Sequence, residues 1–104
     1  TVQHIGLEGR CYFINADMVF TRDDYPRARL HCSEEIDRLP EIVCRGGSCV
    51  IDPFGNFYTE PVWDKEELIV TTLDLGKAAS AKMEFDPCGH YARPDVLELR
   101  INDK

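Results

Sequence analysis

The feature that most constrains the fold is a pair of short apolar runs on either side of a tight turn. Residues 48–53 and residues 57–62 are rich in residue types that favour strands, and the turn sequence PFGN occupies residues 53–56. Proline fixes φ and glycine tolerates positive φ, so this tetrapeptide favours a sharp reversal of the chain. The pattern predicts a β-hairpin. A chain with this hairpin must contain a sheet.

Helices and further strands are predicted before and after the hairpin along the chain. Residues 1–10 are predicted to be the end of a helix with Gly9 at its C-cap, and residues 77–84 contain good helix formers. The polar residues 21–40 predict a long excursion with one helical turn that has Ser33 as N-cap. Apolar or alternating patterns predict further strands at residues 11–20, 68–75 and 96–101. We therefore expect an α+β or layered α/β domain, incomplete because its helices are too few to cover a sheet.

The charge balance argues against two classes of partner. The chain has 104 residues, which fits one domain, and its 12 basic and 19 acidic residues give a net charge of −7. Nucleic acids and anionic membranes select for basic surfaces, so we expect neither as a partner. The sequence has no apolar run long enough to span a bilayer and no pattern of a signal peptide. We expect a cytoplasmic protein.

The cysteines do not form a recognisable framework. Their number, five, is odd, and Cys44 and Cys49 are separated by four residues instead of the two of a strong zinc signature. We therefore predict no metal site, and free thiols throughout. Buried structural thiols are the simpler interpretation.

No active site can be assembled from the residues alone, so we predict no catalytic, cofactor-binding or metal-binding residue. Cys88 and His90 supply the groups of a Cys–His nucleophile, but neighbours in sequence are not thereby within hydrogen-bond distance. The sequence RGGS at residues 45–48 is rich in glycine, but it leads into a strand and has no lysine, unlike a phosphate-binding loop. The other candidates are adjacent carboxylates, lone lysines and scattered histidines, all expected on solvated surfaces: Asp23, Asp24, Glu34, Glu35, Glu66, Glu67, Lys65, Lys82, His4 and His31.

Several segments resemble nitrilases of the carbon–nitrogen hydrolase superfamily, in the order that these enzymes have. HIGLEGRCY at residues 4–12 resembles their "HIALEGRCF", and GGSCVIDPFG at residues 46–55 resembles their "GGSxIIxPxG" hairpin. The most specific likeness is FDPCGHYARPDV at residues 85–96, which resembles "FDxxGHYARPDV" near the nitrilase C-terminus. Weaker likenesses occur at residues 60–62 and 68–75. The resemblance implies that residues 1–104 are the C-terminal third of a nitrilase.

The resemblance also implies an architecture and a chemistry. Nitrilases have an α-β-β-α sandwich that pairs into dimers and often into spirals, with a C-terminal stretch reaching toward a neighbouring subunit. They convert a nitrile to a carboxylic acid and ammonia with a Glu base, a Lys and a Cys nucleophile, without metal or organic cofactor. All three residues lie upstream of the segment that residues 4–12 resemble. None of Cys11, Cys44, Cys49 and Cys88 matches the nucleophile, so the resemblance implies that this chain is inactive alone.

Two hypotheses follow from the resemblance. The chain is either part of a nitrilase whose catalytic residues lie elsewhere, or a non-catalytic module that pairs with intact nitrilase-like subunits. In both cases we expect a homo-oligomer or a pair of related subunits. Residues 15–18 depart from the "SACQ" or "TANQ" of nitrilases, which implies an altered or repacked pocket wall.

Overall fold

The computed structural model describes residues 1–86 and 89–102, and its elements form an α+β arrangement. The predicted fold class is therefore confirmed. Helices α1, α2 and α3 and strands β1 to β4 occur in the order α1 (Val2–Gly9), β1 (Phe13–Asn15), β2 (Val19–Thr21), α2 (Ser33–Asp37), β3 (Ile42–Ile51), β4 (Phe57–Trp63) and α3 (Leu75–Glu84). Two short 3-10 turns, Arg22–Asp24 and Arg27–Arg29, lie between β2 and α2. No helix in the described ranges has the length and apolar character needed to cross a membrane.

Strand β3 is the centre of a four-stranded antiparallel sheet. Strand β1 pairs with the end of β3, β2 pairs with its beginning, and β4 pairs along the opposite edge from Gly46 to Ile51. Pro61 lies in β4, where the missing amide is tolerated because β4 is at the edge of the sheet. The length of β3 was underestimated from sequence, since the glycines at its middle interrupt the apolar pattern of residues 42–47.

The predicted hairpin is confirmed. The Asp52 amide donates to the Asn56 carbonyl (2.9 Å) and the Gly55 amide donates to the Asp52 carbonyl (3.0 Å), which closes the turn. Gly55 has φ +82° and faces Leu7 of α1, so glycine is required there for both conformation and space.

The prediction of one continuous strand at residues 11–20 was wrong. The structure has two short strands, β1 and β2, joined by residues 16–18. Side-chain hydrogen bonds from Asn15 to Asp17 and from Ser48 to the Asp17 backbone hold this connection out of the ladder.

The strands predicted at residues 68–75 and 96–101 were also wrong. The first of these segments is irregular up to Asp74 and the second has no regular secondary structure, because neither has a partner strand among the residues that the structure describes. The helices were predicted more closely. Helix α1 ends at Gly9, but its C-cap is Arg10 in the left-handed conformation, and Ser33 is the first residue of α2 with Cys32 as the N-cap.

The core lies where α1 and α3 meet the hairpin end of β3. Cys49, Val50, Ile51 and Ala81 are its buried apolar residues, and Ile36 is buried separately on α2. The radius of gyration is 19.9 Å, whereas a compact domain of this length has about 13 Å. Much apolar surface therefore faces solvent.

Candidate functional site

A network of polar side chains fixes the connection between β1 and β2. The Asn15 side-chain amide donates to the Asp17 carboxylate (2.7 Å) and to the Gly47 carbonyl (3.2 Å). The Ser48 hydroxyl donates to the Asp17 carbonyl (3.0 Å) and accepts from the Asp17 amide (2.9 Å). A hydroxyl can do both at once, so one serine on β3 holds both backbone groups of Asp17.

Two small cavities adjoin this network and share Ser48 and Glu67. The first, of about 200 Å³, is bounded by Asp17 and Met18 on one side and by residues 65–67 on the other. The second, of about 190 Å³, is more apolar and is lined by Ile14, Cys49 and Ile69 among others. A typical pocket for a small ligand has about 300 Å³ or more. Neither cavity alone, as bounded by the described residues, reaches that size.

Cys49 is the cysteine nearest to this network, and it is not an activated nucleophile. Its side chain is buried in β3, and burial together with the negative charge of Asp17 raises the pKa of the thiol. Because the thiolate is the reactive form, a raised pKa makes the thiol less nucleophilic at neutral pH. Cys49 therefore has a structural role in the core.

A second polar centre lies at the end of β3, where Asp52 is only 3% exposed. Its carboxylate accepts from the Lys77 ammonium (2.6 Å), from the Phe54 amide (2.9 Å) and from the Asn56 amide (3.0 Å). Burial alone would raise the pKa of Asp52, but these hydrogen bonds outweigh it and lower the pKa to about 2. The carboxylate is thus held as an anion and ties α3 to the hairpin.

Aromatic side chains surround Lys77 on the other side. Its ammonium lies 5.9 Å from the Phe54 ring centre and 5.7 Å from that of Tyr58. The hydrogen bond to Asp52 raises the pKa of Lys77, so the side chain remains a cation. A lysine held in this way is not a nucleophilic amine, and its role here is to fix helix α3.

Two tyrosines complete the attachment of α3. The Tyr12 hydroxyl donates to the carbonyl of Asp74, the N-cap of α3, and the Tyr58 hydroxyl donates to the Thr72 carbonyl (3.1 and 2.9 Å). The two rings meet edge to face with 5.4 Å between their centres. Residues 72–74 are therefore anchored to the sheet without joining it as a strand.

Comparison with known proteins places these features in a family. The sequence profile described as carbon-nitrogen hydrolase matches residues 1–83, which is most of the chain and includes both polar centres. The chain belongs to the carbon–nitrogen hydrolase family. The matched range is the N-terminal four-fifths of the chain, so the block at residues 85–96, which carries the most specific likeness, lies outside it.

Relatives within the carbon–nitrogen hydrolases are nitrilases by name. The chain is 44% identical over 105 residues to the bifunctional nitrilase/nitrile hydratase NIT4B of Nicotiana tabacum, with 99% of this chain and 30% of the relative covered. It is 42% identical over 103 residues to nitrilase 2 of Arabidopsis thaliana, with 96% of this chain and 30% of the relative covered. It is 35% identical over 104 residues to the aliphatic nitrilase of Sinorhizobium fredii, with 100% of this chain and 33% of the relative covered. The chain thus spans about a third of the length of these relatives.

The glycine-rich sequence at residues 45–48 has a structural role, as the strand pattern that follows it predicted. Gly46 and Gly47 have φ of +85° and +115°, and both lie within β3. A Cβ at position 47 would lie 2.8 Å from the Trp63 ring, so glycine lets the indole rest on the backbone. Arg45 forms a two-pronged ion pair with Asp64 and lies 5.7 Å from the Trp63 ring centre. These contacts close the open end of the hairpin.

Of the remaining candidate groups, His31, Glu34 and Glu35 line a third cavity of about 410 Å³, and Lys65, Glu66 and Glu67 line the first. Cys88 lies outside the described residues, and His90 is exposed, with its ring against Tyr91. The described residues contain no group of three potential metal ligands. Cys11, Cys32, Cys44 and Cys49 are free thiols, and the prediction of five free thiols stays a prediction because of Cys88.

Asp52 and Lys77 were missed by the sequence argument. An aspartate immediately before a Pro-x-Gly turn, with asparagine closing the turn, is a signal for side-chain hydrogen bonds to the turn backbone. Lys77, 25 residues away, carried no comparable signal.

Proposed function

We propose that this chain is the C-terminal part of a nitrilase subunit that hydrolyses nitriles to carboxylic acids and ammonia. The observation that carries the proposal is the 35–44% identity to proteins named nitrilases, over 96–100% of this chain. The likeness of residues 85–96 to a block near the nitrilase C-terminus supports the placement. The net reaction consumes two water molecules for each nitrile.

The catalytic groups in this proposal belong to the rest of the subunit. A Cys thiolate attacks the nitrile carbon, forming a C–S bond while the nitrogen takes up a proton. Water then attacks the resulting thioimidate, ammonia leaves, and a second water releases the acid and restores the thiol. A Lys stabilises the charge that develops and a Glu transfers the protons.

The part played by this chain is to build one wall of the enzyme. The Asp52 centre fixes α3 on the hairpin, and the Asn15–Ser48 network fixes the connection beside the two cavities. Cys49 is held as a neutral thiol and Lys77 as a paired cation, which fits a structural role for both. We therefore propose that the 104-residue chain alone hydrolyses no nitrile.

The setting of the intact protein is part of the same proposal. We expect a cytoplasmic homo-oligomer that needs no metal or organic cofactor and binds neither nucleic acid nor membrane. The acidic balance of the chain, with its net charge of −7, supports the last two expectations.

Ammonia release from the purified 104-residue protein tests the inactivity of the chain. The substrates are aliphatic, aryl and arylaceto nitriles, and the controls are the Cys11→Ser and Cys88→Ser variants. We expect no release above the protein-free background with any substrate. Turnover that disappears in either variant would contradict the proposal, because it would reveal a nucleophile within these residues.

A second candidate function is a non-catalytic module that pairs with intact nitrilase-like subunits. The large apolar side chains that face solvent in the described residues favour it, among them Leu97, Leu99 and Ile101. The coding sequence directly upstream of Thr1 distinguishes the two candidates. An in-frame Glu, Lys and Cys set supports the nitrilase subunit, and its absence supports the module.

A further inference from the structure

We propose that Ser48 and Asn15 position the carboxylate of Asp17 in the substrate pocket, where it makes the enzyme favour aliphatic nitriles that carry an ammonium group. The inference rests on the proposed function and adds a substrate class to it. Asp17 is then a specificity-determining residue, and Ser48 and Asn15 are positioning residues that act through it.

The exposure of residues 16–18 decides between the two alternatives that the sequence left open, an altered pocket wall or a repacked one. Ala16, Asp17 and Met18 are all exposed, and Met18 has 67% of its surface accessible. A repacked segment would instead have turned its methionine into the core. Asp17 and Met18 line the first cavity, and Asn15 and Ala16 line the second. The segment is therefore a wall between two cavities.

This exposed wall is also fixed in place. The Ser48 hydroxyl holds both the amide and the carbonyl of Asp17, at 2.9 and 3.0 Å. Strand β3 changes its register with β4 on both sides of Ser48, an irregularity of the kind that re-aims side chains next to active sites. A segment that is both exposed and held by hydrogen bonds is suited to present a side chain to a ligand in one geometry.

The carboxylate of Asp17 is oriented by an uncharged donor. The Asn15 side-chain amide donates to it at 2.7 Å, and also donates to the Gly47 carbonyl at 3.2 Å, so the amide is itself held against β3. Because an amide carries no charge, this contact orients the carboxylate without neutralising it. Lys65, the lysine that lines the same cavity, pairs with Glu67.

The lining of the first cavity identifies the kind of substrate that fits. Val19 and Val62 supply apolar surface, whereas Asp17 and Glu66 supply negative charge. The volume of about 200 Å³ is below that of pockets for drug-sized ligands, which favours a short substrate. An alkyl chain with a nitrile at one end and an ammonium group at the other meets both surfaces. A carboxylate in place of the ammonium group would face like charge.

The test uses a complete enzyme, a chimera in which residues 1–104 replace the matching segment of the Nicotiana tabacum relative. The substrates are 4-aminobutanenitrile, a cation at neutral pH, and pentanenitrile, in which a methyl group replaces the ammonium group. We expect Asp17→Asn to lower the ratio of their kcat/KM values for ammonia release by about tenfold. The variant keeps an acceptor for the Asn15 amide and loses only the charge. Asp23→Asn is the matched control, because Asp23 is exposed in a 3-10 turn away from the cavities, and it should leave the ratio unchanged.

The positioning role of Ser48 has its own arm. We expect Ser48→Ala to lower the same ratio, because the backbone of Asp17 is then no longer held, and Ser48→Thr to restore it with its hydroxyl. A serine with only a structural role would change stability and the kcat/KM of both substrates together, and would leave the ratio unaltered. Ser80→Ala, at an exposed position on α3, is the control and should match the parent chimera.

The outcomes separate this inference from the proposed function. A chimera that hydrolyses neither nitrile contradicts the proposed function, and the inference falls with it. A chimera that hydrolyses nitriles, but whose substrate ratio is the same in the Asp17→Asn or Ser48→Ala variant, overturns the inference alone. An equal change of the ratio in Asp23→Asn also overturns it, because the effect would then come from the net charge of the protein and not from Asp17.

Discussion

A single buried carboxylate, that of Asp52, connects three parts of the molecule. It joins the end of β3, the turn that follows and helix α3 through hydrogen bonds to Phe54, Asn56 and Lys77. Removing one partner of such a pair leaves the other with its desolvation cost unrelieved. The stability of the α3 attachment is therefore tied to the charge state of one residue.

Replacing this carboxylate by an amide should destabilise the protein in a way that depends on pH. The pKa of Asp52 is about 2 in the folded protein and 3.8 without these contacts, which corresponds to about 2 kcal/mol at neutral pH. Because the folded pKa is depressed, this contribution is complete above about pH 4 and is lost as the pH falls toward 2. We expect Asp52→Asn to lower the free energy of unfolding in urea by about that amount at pH 7.

The difference between parent and variant should then narrow as the pH falls from about 4 toward 2. Asp95→Asn is the control, since Asp95 forms an exposed ion pair with Arg93 and should cost much less. A difference that does not change with pH down to 3, or an equal loss in Asp95→Asn, would contradict the role given to Asp52.

Some elements were predicted from the sequence more accurately than others. The accurate ones are those whose structure is determined by residues within the element itself. The hairpin and α3 were predicted well because turn residues, caps and helix formers lie within the elements themselves. The segment at residues 68–75 has a strand pattern without a strand partner, so local propensity could not decide its structure. The break between β1 and β2 depends on Ser48, which is 31 residues from Asp17. The Asp52–Lys77 pair was missed for the same reason.

The packing of α1 on β3 gives a test at the scale of elements. A Cβ at Gly6 would lie 2.8 Å from the Ile51 Cγ2 and 3.2 Å from the Asp52 carbonyl oxygen. We expect Gly6→Ala to destabilise the protein by about 1–3 kcal/mol in urea unfolding, because α1 must move away from the core.

Gly9→Ala is the matched substitution on the same helix. Its Cβ would meet only the Cys11 side chain, and alanine is the better helix former, so we expect no loss of stability. Equal destabilisation by both substitutions would show that the close approach of Gly6 to β3 is not the reason why position 6 requires glycine.

At the scale of the whole molecule, the chain has a small core and a large apolar surface. The radius of gyration of 19.9 Å exceeds the value of about 13 Å for a compact domain. Leu68, Val70, Leu97 and Leu99 are all largely exposed. Together with a span of about a third of the length of its relatives, this surface fits a segment that packs within a larger carbon–nitrogen hydrolase.

A chimeric enzyme tests this central claim most directly. Residues 1–104 replace the matching segment of the bifunctional nitrilase/nitrile hydratase of Nicotiana tabacum, with which they share 44% identity. A second chimera carries Gly6→Leu, which we expect to prevent α1 from packing on β3. Ammonia release from nitriles is the measurement, with circular dichroism to follow folding. We predict nitrile hydrolysis by the first chimera within about tenfold of the parent enzyme, a barrier change of about 1.4 kcal/mol, and none by the second. A first chimera that folds without releasing ammonia, or that fails to fold, would contradict the account.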